Sequence, residues 1–127
     1  MQFSLTVGLE YHPSGLGAWE LALTHTGELS AIWKRGQITS FGPFQLGREE
    51  NARVWGLIES IHIPASSPPQ RLGLPDEVRY IFIFQLDETS YTLELWHGDL
   101  PHLPEAQALV VEINGLNEKY TRHKAYL

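Results

Sequence analysis

Residues 78 to 86 read VRYIFIFQL, and in an extended conformation they carry apolar side chains on both faces. Val78, Tyr80, Phe82, Phe84 and Leu86 lie on one face, and Ile81 and Ile83 lie on the other between Arg79 and Gln85. A strand that is apolar on both sides at its middle reads as a central strand, flanked by neighbours and covered on at least one face. The rest of the chain has to supply those neighbours and that cover.

Residues 3 to 11 supply the first neighbour. Phe3, Leu5, Val7, Leu9 and Tyr11 alternate with Ser4, Thr6, Gly8 and Glu10, the period of a half-buried strand. HPSGLG, residues 12 to 17, is turn chemistry, since Pro13 presets one dihedral and Gly15 and Gly17 accept positive φ. AWELALT and ELSAIWK then flank HTG, and their apolar pattern selects a register. A three-residue loop with Gly27 left-handed sets Trp19, Leu21 and Leu23 opposite Trp33, Ala31 and Leu29, whereas a two-residue turn would bring Ser30 and Lys34 onto that face. QITSFGPF, residues 37 to 44, extends the meander as a short edge strand ended by Pro43. After the central strand, DETS turns the chain back into YTLELWH; pairing residue 86 with 91 sets Ile83 opposite Glu94 and Ile81 opposite Trp96.

Two segments change period. Val54, Leu57, Ile58 and Ile61 fall at i, i+3, i+4 and i+7, with Glu49 and Glu50 in the first turn, where acids suit the helix dipole; the spacing predicts a helix over 47–61. Ala106, Leu109, Val110 and Ile113 form a second stripe, with Pro104 suited to the first turn and Asn114-Gly115 to the stop. Between helix and central strand, residues 62–77 form a proline-rich surface loop, and residues 117–127 read as a C-terminal tail. Strands and then a helix, twice, in the order β-β-β-(β)-α-β-β-α, predict one α+β domain over residues 1–127: an antiparallel sheet of hairpins with two helices packed on one face. A globule of 127 residues buries roughly two-thirds of its unfolded surface, enough for a core without staples.

Charge and composition narrow the function classes. The net charge of −6 repels phosphate backbones, and residues 76 to 112 hold eight acids against the single base Arg79, so nucleic acid is not an expected partner. No window approaches the ~18 continuous apolar residues of a membrane-spanning helix. MQFSLTVGLEY lacks the charged and unbroken apolar regions of a signal peptide, and the expected location is cytoplasmic. The absence of cysteine removes thiolate chemistry and disulfides.

No chemical motif rises above its structural reading. His97, Asp99 and His102 in WHGDLPH match no zinc-site spacing, and Gly98, Leu100 and Pro101 make the segment a connector. Asp76 and Glu77 precede the central strand in a proline turn, a strand mouth and not an acid–base pair, with Arg79 expected to meet Glu94 or Glu77. His12 and Ser14 come without a nucleophile elbow, and HPSGLG opens no helix that would cradle phosphate. The expectation is a non-enzyme without catalytic residues, cofactors or metal, a metal-dependent enzyme being the third choice.

What remains is the sheet face turned away from the helices. There Ile32, Ile81, Ile83 and Trp96 form an apolar centre inside a polar rim, while Trp19, Trp33 and Trp55 are in phase with the core. Either a partner covers this spot or the chain's own loop or tail does.

The order of pieces over about residues 50–116 resembles the small bacterial emfourin-like proteins: ARVWGLIESI, a proline-rich loop, LPDEVRYIFIF, a second strand and DLPHLPEAQALVVEINGL. The resemblance implies a cytoplasmic, non-enzymatic inhibitor that occludes the active site of a thermolysin-type metalloprotease. No inhibitory residue is carried over. The alternative is a homo-oligomeric structural or regulatory protein using the same sheet face.

Overall fold

A computed structural model of the chain describes residues 2–8, 18–35, 37–61, 78–86 and 89–122. The fold is α+β. Among the described residues there are six strands, β1 (Gln2–Gly8), β2 (Ala18–Thr24), β3 (Glu28–Arg35), β4 (Gln37–Gln45), β5 (Arg79–Leu86) and β6 (Thr89–Trp96). They form one sheet in the order β4-β3-β2-β1-β5-β6, and every neighbouring pair is antiparallel. Helix α1 (Arg48–Ser60) follows β4, and α2 (Pro104–Thr121) follows β6 through a 3₁₀ helix at His97–His102.

Phase decides which side is buried. Phe3, Leu5, Val7, Leu21, Leu23, Tyr80, Phe82, Leu93 and Leu95 share one face and are buried. They belong to the same hydrophobic cluster as Val54, Trp55 and Ile58 of α1 and Ala106, Leu109, Val110 and Ile113 of α2. Trp55 adds direction to this packing, because its indole N–H donates to the Thr24 carbonyl at the end of β2, 3.0 Å away. A buried tryptophan needs such an acceptor for its one polar atom.

The β2–β3 hairpin has the register its apolar face requires. Trp19 faces Trp33, Leu21 faces Ala31 and Leu23 faces Leu29, with Gly27 at φ +94° in the turn. A Cβ at Gly27 would lie 2.9 Å from the Gln45 side-chain nitrogen, so both backbone and space favour glycine there.

Four expectations need correction. Strand β4 runs through Pro43 to Gln45: a bulge at Gly42-Pro43 lets Phe41 face Ala31 and Phe44 face Leu29, and proline is tolerated because β4 is an edge strand. The β5–β6 register sits two residues tighter than expected, with Leu86 opposite Thr89, Ile83 opposite Thr92, Ile81 opposite Glu94 and Arg79 opposite Trp96. The WHGDLPH connector contains a 3₁₀ helix, where the Asp99 carboxylate accepts a hydrogen bond from the Trp96 backbone N–H at 2.9 Å. Finally, α2 does not stop at Asn114-Gly115 but continues to Thr121, so residues 117–121 of the expected tail are helical. Leu116, Asn117 and Thr121 are buried there, and that burial outweighs the ~1 kcal/mol cost of an internal glycine. The loop at 62–77, the turn at 12–17 and residues 123–127 lie outside the described residues.

Candidate functional site

The unburied sheet face can be mapped rung by rung from the strand registers. One rung runs Ser40, Ile32, Glu20, Thr6, Ile81, Glu94 from β4 to β6. On one side of it lies the row Ile38, Lys34, Ala18, Gly8, Arg79, Trp96; on the other lies Ser30, Ala22, Ser4, Ile83, Thr92. All four residues expected in the apolar spot therefore point to this face.

The structure gathers three of them and separates the fourth. Ile81 and Ile83 alternate along β5, and Trp96 stands on β6 diagonally across from Ile81. Ile83 is 37% exposed, while Ile32, Ile81 and Trp96 are half-buried. Ile32 sits on β3, with Glu20 and Thr6 between it and Ile81, three strand spacings or about 14 Å away. Its apolar neighbour across the edge is Ile38, 70% exposed. Two apolar spots thus flank a polar middle.

Charge fixes the rim of the β5–β6 spot. The Arg79 guanidinium meets Glu94 at 2.8 Å and lies 5.9 Å from the centre of the Trp96 ring, so one cation bridges the acid and the aromatic face. Arg79 thus has the partnership with Glu94 that was expected; Glu77 lies outside the described residues. Glu20 and Lys34 pair at 2.6 Å with both side chains nearly half exposed, a contact that contributes little stability in water.

A depression of about 170 Å³ lies beside the apolar spot, floored by Ser4, Ala22, Ser30 and Ile83 and rimmed by Gln2 and Gln85. It exists because three successive residues on that five-residue rung, Ser30, Ala22 and Ser4, are small. Sequence reading missed it, since the pattern within a strand does not reveal which small residues of other strands will align.

Asp99 and His97, two of the titratable residues singled out beforehand, have structural partners. Asp99 is 4% exposed and caps the Trp96 amide. The His97 ring stacks on Tyr80 with centroids 6.2 Å apart, and its Nδ1 lies 3.3 Å from the Tyr80 hydroxyl. No cluster of three or more His, Cys, Asp or Glu suited to a metal ion occurs among the described residues. Asp76, Glu77, His12 and Ser14 lie outside those residues. A separate electrostatic cluster joins the helices: Glu50 accepts hydrogen bonds from the Gly47 N–H at 2.9 Å and from Lys119 and Tyr120 at 2.5 Å. These bonds, led by Lys119, hold its carboxyl down at a pKa of about 2. No helix is long and apolar enough to cross a membrane among the described residues.

Compared with known proteins, the chain matches no protein-family model and no curated protein.

Proposed function

We propose that the chain is a non-enzymatic docking domain that engages another protein through the β5–β6 end of its open sheet face. The observation that carries this reading is the spot made by Ile81, Ile83 and Trp96, apolar side chains left partly in water on a sheet whose other face is buried. An apolar centre with a charged rim, here Arg79 and Glu94, is the composition of a protein interface core. The neighbouring depression over Ser4, Ala22 and Ser30 offers room for a side chain of the partner. The partner nominated by the emfourin-like order of residues 50–116 is a thermolysin-type metalloprotease, occluded rather than cleaving.

The test is peptide hydrolysis by such a protease with this protein in about tenfold excess. Inhibition is expected, and Ile83→Asp should weaken it at least about tenfold while leaving the circular dichroism spectrum unchanged, because the substitution puts a charge into the desolvated centre. Unchanged hydrolysis with the wild-type chain would remove the metalloprotease as partner.

A further inference from the structure

The β6 margin of the sheet is distinct from the open face, and its backbone groups can be assigned one by one. In an antiparallel ladder, opposite residues alternate between pairs that exchange backbone hydrogen bonds and pairs that do not. The His97 N–H donates to the Val78 carbonyl at 2.8 Å, which makes that pair a bonded one. Counting back along the β5–β6 register, Leu95, Leu93, Tyr91 and Thr89 bond to β5, and Trp96, Glu94, Thr92 and Ser90 turn their N–H and C=O groups away from it. The outward Trp96 N–H is taken by Asp99. The amides and carbonyls of Ser90, Thr92 and Glu94 are left along the outer margin, and among the described residues no strand lies beyond β6 in the sheet.

We infer that this margin pairs with the same margin of a second copy, antiparallel and centred on Thr92. In that register Thr92 faces its own counterpart and Ser90 faces Glu94, so all three outward residues of each chain bond together, about six hydrogen bonds in all. The Ser90 hydroxyl can donate to the Glu94 carboxylate across the seam, and on the buried side Tyr91 falls beside Leu93, an aromatic–aliphatic cross-strand pair. Shifting the register by two residues one way spends a rung on the occupied Trp96 amide, and shifting it by four sets Glu94 against Glu94. Moving it the other way leaves fewer rungs of β6 on β6. The margin is thus complementary to itself in one register. The two-fold axis stands perpendicular to the sheet, so both copies of the Ile81, Ile83 and Trp96 spot face the same way.

Light scattering on the full chain across concentration, with variants, tests the pairing. The wild type should approach twice its 14.4 kDa mass as concentration rises, and more readily when salt is raised from about 50 to about 500 mM, since two chains of net charge −6 repel. Thr92→Lys sets two cations against each other at the axis, and Thr92→Pro deletes an amide that bonds nothing within the sheet; each should raise the dimer dissociation constant at least about tenfold with the fold intact by circular dichroism. Ile83→Asp, on the face and not the margin, should leave the dimer unchanged. As the chain has no cysteine, Thr92→Cys should form an intermolecular disulfide at least about tenfold faster than Ser40→Cys on β4, because pairing raises the effective thiol concentration. A wild type that stays monomeric, a dimer split by Ile83→Asp but not by Thr92→Lys, or equal oxidation of the two cysteine variants would each overturn the inference.

Discussion

Glu50 shows how one side chain can serve three neighbours. It lies in the first turn of α1, closes that turn by accepting from Gly47, and reaches Lys119 and Tyr120 in the last turn of α2. Its sign suits the positive start of α1, and that of Lys119 suits the negative end of α2. A carboxyl whose pKa falls from 4.5 to about 2 on folding stabilises the native state fully above 4.5, and that contribution disappears as pH drops toward about 2. In urea titrations Glu50→Gln should be less stable than wild type at about pH 7, and the difference should shrink between about pH 4.5 and about pH 2. Gly42 is constrained differently: at φ +94°, an added Cβ would lie 2.8 Å from the Leu29 carbonyl oxygen. Gly42→Ala should cost more than about 1 kcal/mol in thermal unfolding, whereas Gly115→Ala, in a helix with nothing within 4 Å of the added methyl, should add about 0.5–1 kcal/mol. Glu49 and Glu50 were legible as first-turn acids, but a partner 69 residues downstream was not.

At the level of elements, legibility followed how local each signal was. The β2–β3 register was readable because Gly27 and an apolar face agreed on one loop length. The β5–β6 register was misjudged by two residues, a slip that period-two alternation cannot detect: every side chain stays on its face, so Trp96 kept its side of the sheet and only its opposite number changed, from Ile81 to Arg79. Helix α2 outran its apparent stop because Asn114-Gly115 mimics a cap while Leu116 and Asn117 continue the buried stripe. Strand order was beyond local pattern altogether. Nothing within β1 or β2 announces that both lie between Ile32 and Ile81, and the expected apolar centre divided for that reason.

For the whole molecule, the first strand is the clasp. β1 bonds β2 on one side and β5 on the other, joining the meander of β4, β3 and β2 to the later β5–β6 hairpin. Neither group can lose β1 without losing a flank of its sheet, so unfolding should be one transition: near- and far-ultraviolet circular dichroism melts should coincide. Leu5, fully buried at the middle of β1, is the sharpest probe, and Leu5→Ala should lower stability by about 2–5 kcal/mol without separating the two melts. The opposite margins of this sheet differ in kind. The bulge at Gly42-Pro43 disrupts the regular ladder on β4, while β6 carries its ladder straight from Thr89 to Glu94. If two β6 borders meet as inferred, what faces outward on each flank is the kinked border, and association should end at a pair instead of running on into a fibre.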